Sequence, residues 1–137
     1  MFDIERIGKI ISDIEKYLSD LDSMNIRNVE DLRDRKTFYA SSMLIFAILN
    51  RVIDLGEELI LAYGLGIPKT YRAIFKELGK AGIIDKNLQT VLESLVFYRN
   101  AIAHEYYDID EEEIFEVINS LDAVRRFVKR VKEILQS

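Results

Sequence analysis

One histidine occurs among the 137 residues, in the stretch Tyr98-Arg99-Asn100-Ala101-Ile102-Ala103-His104-Glu105-Tyr106-Tyr107. Imidazole is the side chain best matched to proton transfer at neutral pH. Arginine is the matching choice for a phosphoryl group, because its forked guanidinium never loses its charge and can grip two oxygens. Geometry limits how these two can cooperate. On a continuous helix Asn100 and His104, four apart, share a face, whereas Arg99 and His104, five apart, diverge by about 140° at ~100° per residue. They converge only if the helix loosens near Ala103 or if Arg99 reaches round. The same residues also have an ordinary reading. A lone histidine near a helix end is a favourable partner for the helix dipole, an arginine on a helix is a salt-bridge residue, and Tyr98, Tyr106 and Tyr107 are packing residues with one wet edge.

Other chemistries have less to work with. The chain has no cysteine, which removes disulfides and cysteine-rich zinc sites. The acidic run Asp108, Asp110, Glu111, Glu112 and Glu113 reads as a solvated helix start that favours the N-terminal dipole rather than as a cation site, so neither metal nor cofactor is expected. The segment from Gly64 to Lys69 lacks the glycine spacing of a phosphate-cradling loop and reads as a helix terminator. No Ser-His-Asp arrangement can be argued from spacing.

The elements that must position Arg99 and His104 are helical. Hydrophobic residues make up 49% and charged residues 31% of the chain, the composition of a soluble globular protein, and residues 1–137 suit one domain. Ile4, Ile7, Ile11, Ile14, Leu18 and Leu21 form one apolar stripe, predicting a helix from Asp3 to Asp22. A polar connection leads into a long second helix predicted from Val29 to Tyr63. Its centre is apolar on nearly all sides and belongs deep in a bundle or at a subunit interface. Gly64, Gly66 and Pro68 end it. Thr70 caps a short third helix that stops near residues 79–82, and Asp85 caps a fourth with Leu88, Val91, Leu92, Leu95 and Val96 as its stripe. A last helix is expected from Asp110, with Glu113 completing a capping box, through Leu135. The predicted fold is all-α, an antiparallel bundle of four long helices plus one short one.

The formal net charge of −5 and a pI near 5.0 argue against a broad, unspecific nucleic-acid binder, while leaving room for an enzyme that holds a few phosphates at one basic site. No segment reads as a signal peptide or a membrane span, so a cytoplasmic location is expected.

The stretch from Arg99 to Tyr106 matches, at every defined position, the Arg-Asn-x-x-x-His-x-Tyr signature of HepT-like proteins within the HEPN superfamily, and the chain resembles that family beyond the signature. Asn50-Arg51-Val52-Ile53-Asp54, the turn Gly66-Ile67-Pro68-Lys69-Thr70-Tyr71, Phe75-Lys76-Glu77-Leu78 and Tyr107-Asp108-Ile109-Asp110 are similar to the family's corresponding regions. The resemblance implies a helical bundle that forms a homodimer with both motifs facing one cleft. It also implies a toxin that cleaves RNA without a metal. A further implication is a partner, a minimal nucleotidyltransferase antitoxin able to transfer AMP from ATP to the motif tyrosine, Tyr106. In that frame Arg99, Asn100 and His104 are catalytic, and Tyr106 and Tyr107 line the substrate cleft. Metal-free cleavage needs a base for the 2′-hydroxyl and an acid for the leaving oxygen, and a two-fold dimer supplies two imidazoles. Two other readings remain. The bundle could be a non-catalytic partner subunit of a nucleotidyltransferase, binding a nucleotide or substrate in the same pocket, or a purely structural interaction domain.

Overall fold

Asp3 opens the first helix by accepting a hydrogen bond from the Arg6 amide at 3.1 Å, and α1 then runs Ile4–Asp22. The computed structural model describes residues 1–105 and 108–137, with Glu105 placed only as part of its helix. Among the described residues every regular element is helical: α2 (Arg35–Tyr63), α3 (Tyr71–Lys80), α4 (Lys86–Glu105), α5 (Glu111–Ser120) and α6 (Asp122–Gln136) follow α1, with a 3-10 turn at Val29–Arg33. The all-α bundle read from the sequence is the fold found. No helix among the described residues is long and apolar enough to cross a membrane.

Two predicted helices are interrupted, each for a local reason. The second does not run unbroken from Val29. Asn28 and Asp31 form a reciprocal capping box around the 3-10 turn. Asp34 then caps α2 anew, accepting from the Thr37 amide at 2.9 Å and the Thr37 hydroxyl at 2.8 Å. Short polar side chains offer the backbone such alternatives to continuous helix, and here they prevail. The last helix breaks at Leu121, just after Ser120, whose hydroxyl donates to the Glu116 carbonyl at 3.0 Å. That back-bonding bends helices. The bend lets Ile114 and Val117 of α5 and Val124, Phe127 and Val131 of α6 all face one core.

Ion pairs show how the helices run. Arg6 meets Glu58 at 2.9 Å and Asp13 meets Arg51 at 2.7 Å, so α1 and α2 are antiparallel. Lys132 meets Glu15 at 2.7 Å and Arg125 meets Asp22 at 2.8 Å, so α6 is antiparallel to α1 as well. The pairs fix register; cohesion comes from the apolar core. The Ile7, Ile45, Leu55, Phe75, Leu92 and Phe127 side chains are fully buried in one continuous cluster, with Phe75 and Phe127 edge to face at 5.8 Å. Burying such a side chain stabilises the fold by roughly 1.5–3 kcal/mol.

Helix α3 approaches α2 closely because Gly56 has no side chain. A Cβ there would lie 2.7 Å from Ile74 Cγ2 and 3.2 Å from the Phe75 ring. This approach sets the N-terminus of α3, and hence Tyr71, beside α4. The joining loop is built for its sharp course. Gly64 ends α2 in the left-handed conformation at φ 63°, and Gly66 holds φ 92°. Leu65 packs against the core and its amide donates to the Ile60 carbonyl at 3.0 Å.

Candidate active site

Leu92, Leu95, Val96 and Ile102 bury one side of α4 and so fix the direction in which its polar residues project. Arg99, Asn100 and His104 all line a cleft of about 900 Å³ bounded by α2, the 64–70 loop and the start of α3. The helix does not loosen near Ala103; it continues through Glu105. Arg99 reaches round toward α2 instead, and it and His104 line the same cleft.

Its guanidinium is held on several sides. Nε donates to Asn50 Oδ1 at 2.7 Å, and Nη1 donates to Asn100 Oδ1 at 3.2 Å. The ring of Tyr71 lies 5.0 Å from Cζ and that of Phe46 5.3 Å, close enough for cation–π attraction. Among the described residues two of the five N–H donors of a guanidinium are used, leaving three without a partner there. Among the described residues no carboxylate pairs with Arg99, although it is half-buried. An oriented cation with free donors is what an incoming phosphoryl group requires.

His104 sits exposed in the last turn of α4. Asn100 is one turn before it and shares its face, as their spacing predicts. Tyr98 turns elsewhere. It packs against the core, and burial together with the carboxylates of Glu116, Glu113 and Asp110 pushes its phenol above the ordinary value. Tyr106 and Tyr107 lie outside the described residues. Glu57 lines the cleft too, and desolvation, with the Asp54 charge adding to it, raises its carboxyl above the ordinary range. Among the described residues no group of three or more His, Cys, Asp or Glu is arranged to hold a metal ion.

Sequence reasoning missed Asn50, Phe46, Lys69 and Tyr71 as neighbours of the motif. The one signal for Asn50 was an amide following the apolar run Met43 to Leu49 of α2. Nothing in the spacing could have placed α3 against α4.

The chain belongs to the ribonuclease HepT-like family, whose model matches residues 7–131. Among individual relatives, it is similar to the tRNA nuclease HepT of Aphanizomenon flos-aquae, 25% identical over 133 residues that make up 96% of this chain and 86% of that one. Two solved structures share the fold. The cytosolic protein of unknown function YutE from Bacillus subtilis superposes with a TM-score of 0.86 at 21% identity, over 99% of this chain and 94% of that one. The HEPN toxin of Shewanella oneidensis, solved tri-AMPylated in complex with its MNT antitoxin, superposes with a TM-score of 0.85 at 20% identity, over 97% and 99%.

Proposed function

We propose that the protein is the ribonuclease toxin of a toxin–antitoxin pair, cleaving RNA in the cytoplasm without a metal ion. One observation carries this reading: Arg99, Asn100 and His104 line a single cleft, with Arg99 oriented by Asn50 and free of any ion pair among the described residues. Membership of the family and the name of the Aphanizomenon flos-aquae relative support a nuclease acting on RNA.

In this mechanism His104 of one protomer takes the proton from a ribose 2′-hydroxyl as that oxygen attacks the adjacent phosphorus. Arg99 stabilises the negative charge that builds on the phosphoryl oxygens. The P–O5′ bond breaks, and the second protomer's imidazole supplies a proton to the leaving 5′-oxygen. The products are a 2′,3′-cyclic phosphate and a 5′-hydroxyl. Asn100 steadies Arg99 and shares the His104 face. Two imidazoles are needed because one cannot hold both protonation states at once, and a two-fold dimer provides them. Support for a dimer comes from a second, apolar groove of about 540 Å³ next to the motif, lined by Phe38, Tyr39, Met43, Phe46 and Ile102 among others. Tyr39 is 54% exposed there and Met43 68%, more apolar surface than an isolated bundle leaves uncovered without reason.

In this reading the antitoxin is a minimal nucleotidyltransferase that silences the toxin by transferring AMP to Tyr106; the tri-AMPylated state of the Shewanella toxin in complex with an MNT antitoxin supports it. Induced expression of the wild type beside His104→Ala tests the reading. Growth arrest by the wild type alone is the expected result; equal tolerance of both would favour a non-catalytic partner subunit.

A further inference from the structure

We propose that Lys69, on the loop that lines the cleft together with Arg99, binds the RNA phosphate next to the scissile one; this rests on the nuclease reading above. Among the described residues Arg99 and Lys69 are the two permanent cations of the cleft lining, and Glu57 is its one carboxylate. In a chain of net charge −5, a polyanion is drawn to the place where positive charge is concentrated within a concave wall.

Lys69 is exposed and, among the described residues, has no ion pair, so its ammonium is not already committed to a carboxylate. It is also well placed. Tyr71 touches the Arg99 guanidinium, its ring 5.0 Å from Cζ, and Lys69 precedes Tyr71 by only two residues. Two residues of extended chain span at most about 7 Å between Cα atoms, which keeps Lys69 on the same part of the cleft wall as Tyr71.

The loop that carries Lys69 is anchored at both ends. Leu65 anchors it to the core, its amide bonded to the Ile60 carbonyl at 3.0 Å, and Thr70 caps α3 by accepting from the Ala73 amide at 3.1 Å. A cation on a braced loop loses less freedom when it takes a phosphate than one on a mobile segment. A lysine suits this subsite because a flanking phosphate needs charge rather than the oriented fork demanded at the scissile group.

Bulk tRNA with a fluorescent label serves as the probe. Its binding to His104→Ala is compared with binding to His104→Ala carrying Lys69→Met or Lys69→Arg, across a salt series. Removing one lysine–phosphate interaction should lower the slope of log affinity against log salt by about 0.7–0.9, and at moderate salt the affinity should fall roughly fivefold. Lys69→Arg should keep most of the affinity. In cleavage by the single variant Lys69→Met, the loss should fall in KM more than in kcat. An unchanged salt slope with Lys69→Met, while tRNA still binds and the wild type still cleaves, would overturn the subsite alone. A protein that neither binds nor cleaves tRNA would overturn the nuclease reading and the subsite with it. Circular dichroism of each variant confirms that any change is not loss of fold.

Discussion

Asn50 holds Arg99: its amide oxygen, near the middle of α2, accepts from Nε at 2.7 Å, and the arginine so held lines the cleft. Asn50→Ala should therefore lower kcat for RNA cleavage by about tenfold or more, since an unfixed arginine must be ordered in every turnover. Asn50→Asp should be no better. It would keep the hydrogen bond but offset the charge that a phosphate needs. Wild-type rates in Asn50→Ala would mean that the aromatic rings of Phe46 and Tyr71 suffice to orient the group.

Acid should loosen the α1–α2 pairing. Hydrogen bonds from Lys9 and Arg51 hold the Asp13 carboxyl below its ordinary value of 3.8. A group whose folded pKa is depressed contributes stability that is present above the unfolded value and lost as pH falls through the folded one. The wild type should thus keep this contribution at neutral pH and lose it progressively below about pH 4. Asp13→Asn should be less stable than wild type at pH 7, with the gap closing in acid. Thermal melts of both proteins across this range would show it, and a gap independent of pH would refute the assignment.

Sedimentation at micromolar concentration should give a dimer near twice 16.0 kDa. Met43→Glu, placed in the apolar groove, should shift the protein toward monomer and reduce cleavage in parallel, because it separates the two imidazoles. A monomeric wild type would remove the composite site.

The sequence made the architecture legible because its signals are local. Apolar stripes at helical spacing marked α1 and α4, and Asp3, Thr70, Asp85 and Asp110 marked the starts of α1, α3, α4 and α5. The interruptions at Asp34 and Leu121 were not read, although Asp34 with Thr37 and Ser120 with Glu116 are also local pairs. There, polar side-chain bonds competed with long apolar stripes that pointed the other way. At the site, Arg99, Asn100 and His104 were legible from residue type and spacing together with family resemblance. Asn50 and Tyr71 were not. They meet Arg99 across 49 and 28 positions, brought there by how α2 and α3 pack against α4, and no period along one helix reports such a meeting.

Control through Tyr106 makes a separate prediction. AMP attached to that phenol, two residues from His104 in the chain, would add a phosphodiester anion able to occupy the free donors of Arg99 and oppose an RNA phosphate. Incubation with the cognate nucleotidyltransferase and ATP should raise the mass by one or more AMP units and reduce cleavage. Tyr106→Phe should remove the label. Full labelling of the Phe variant would transfer the acceptor role to Tyr107.

The most direct test is cleavage of total RNA by the purified protein in excess EDTA, wild type against His104→Ala, with analysis of the product ends. The account predicts wild-type cleavage unaffected by the chelator, 2′,3′-cyclic phosphate ends, and a loss of about 10²–10⁴ in rate for His104→Ala. Cleavage that stops in EDTA, or that survives in His104→Ala, would contradict it.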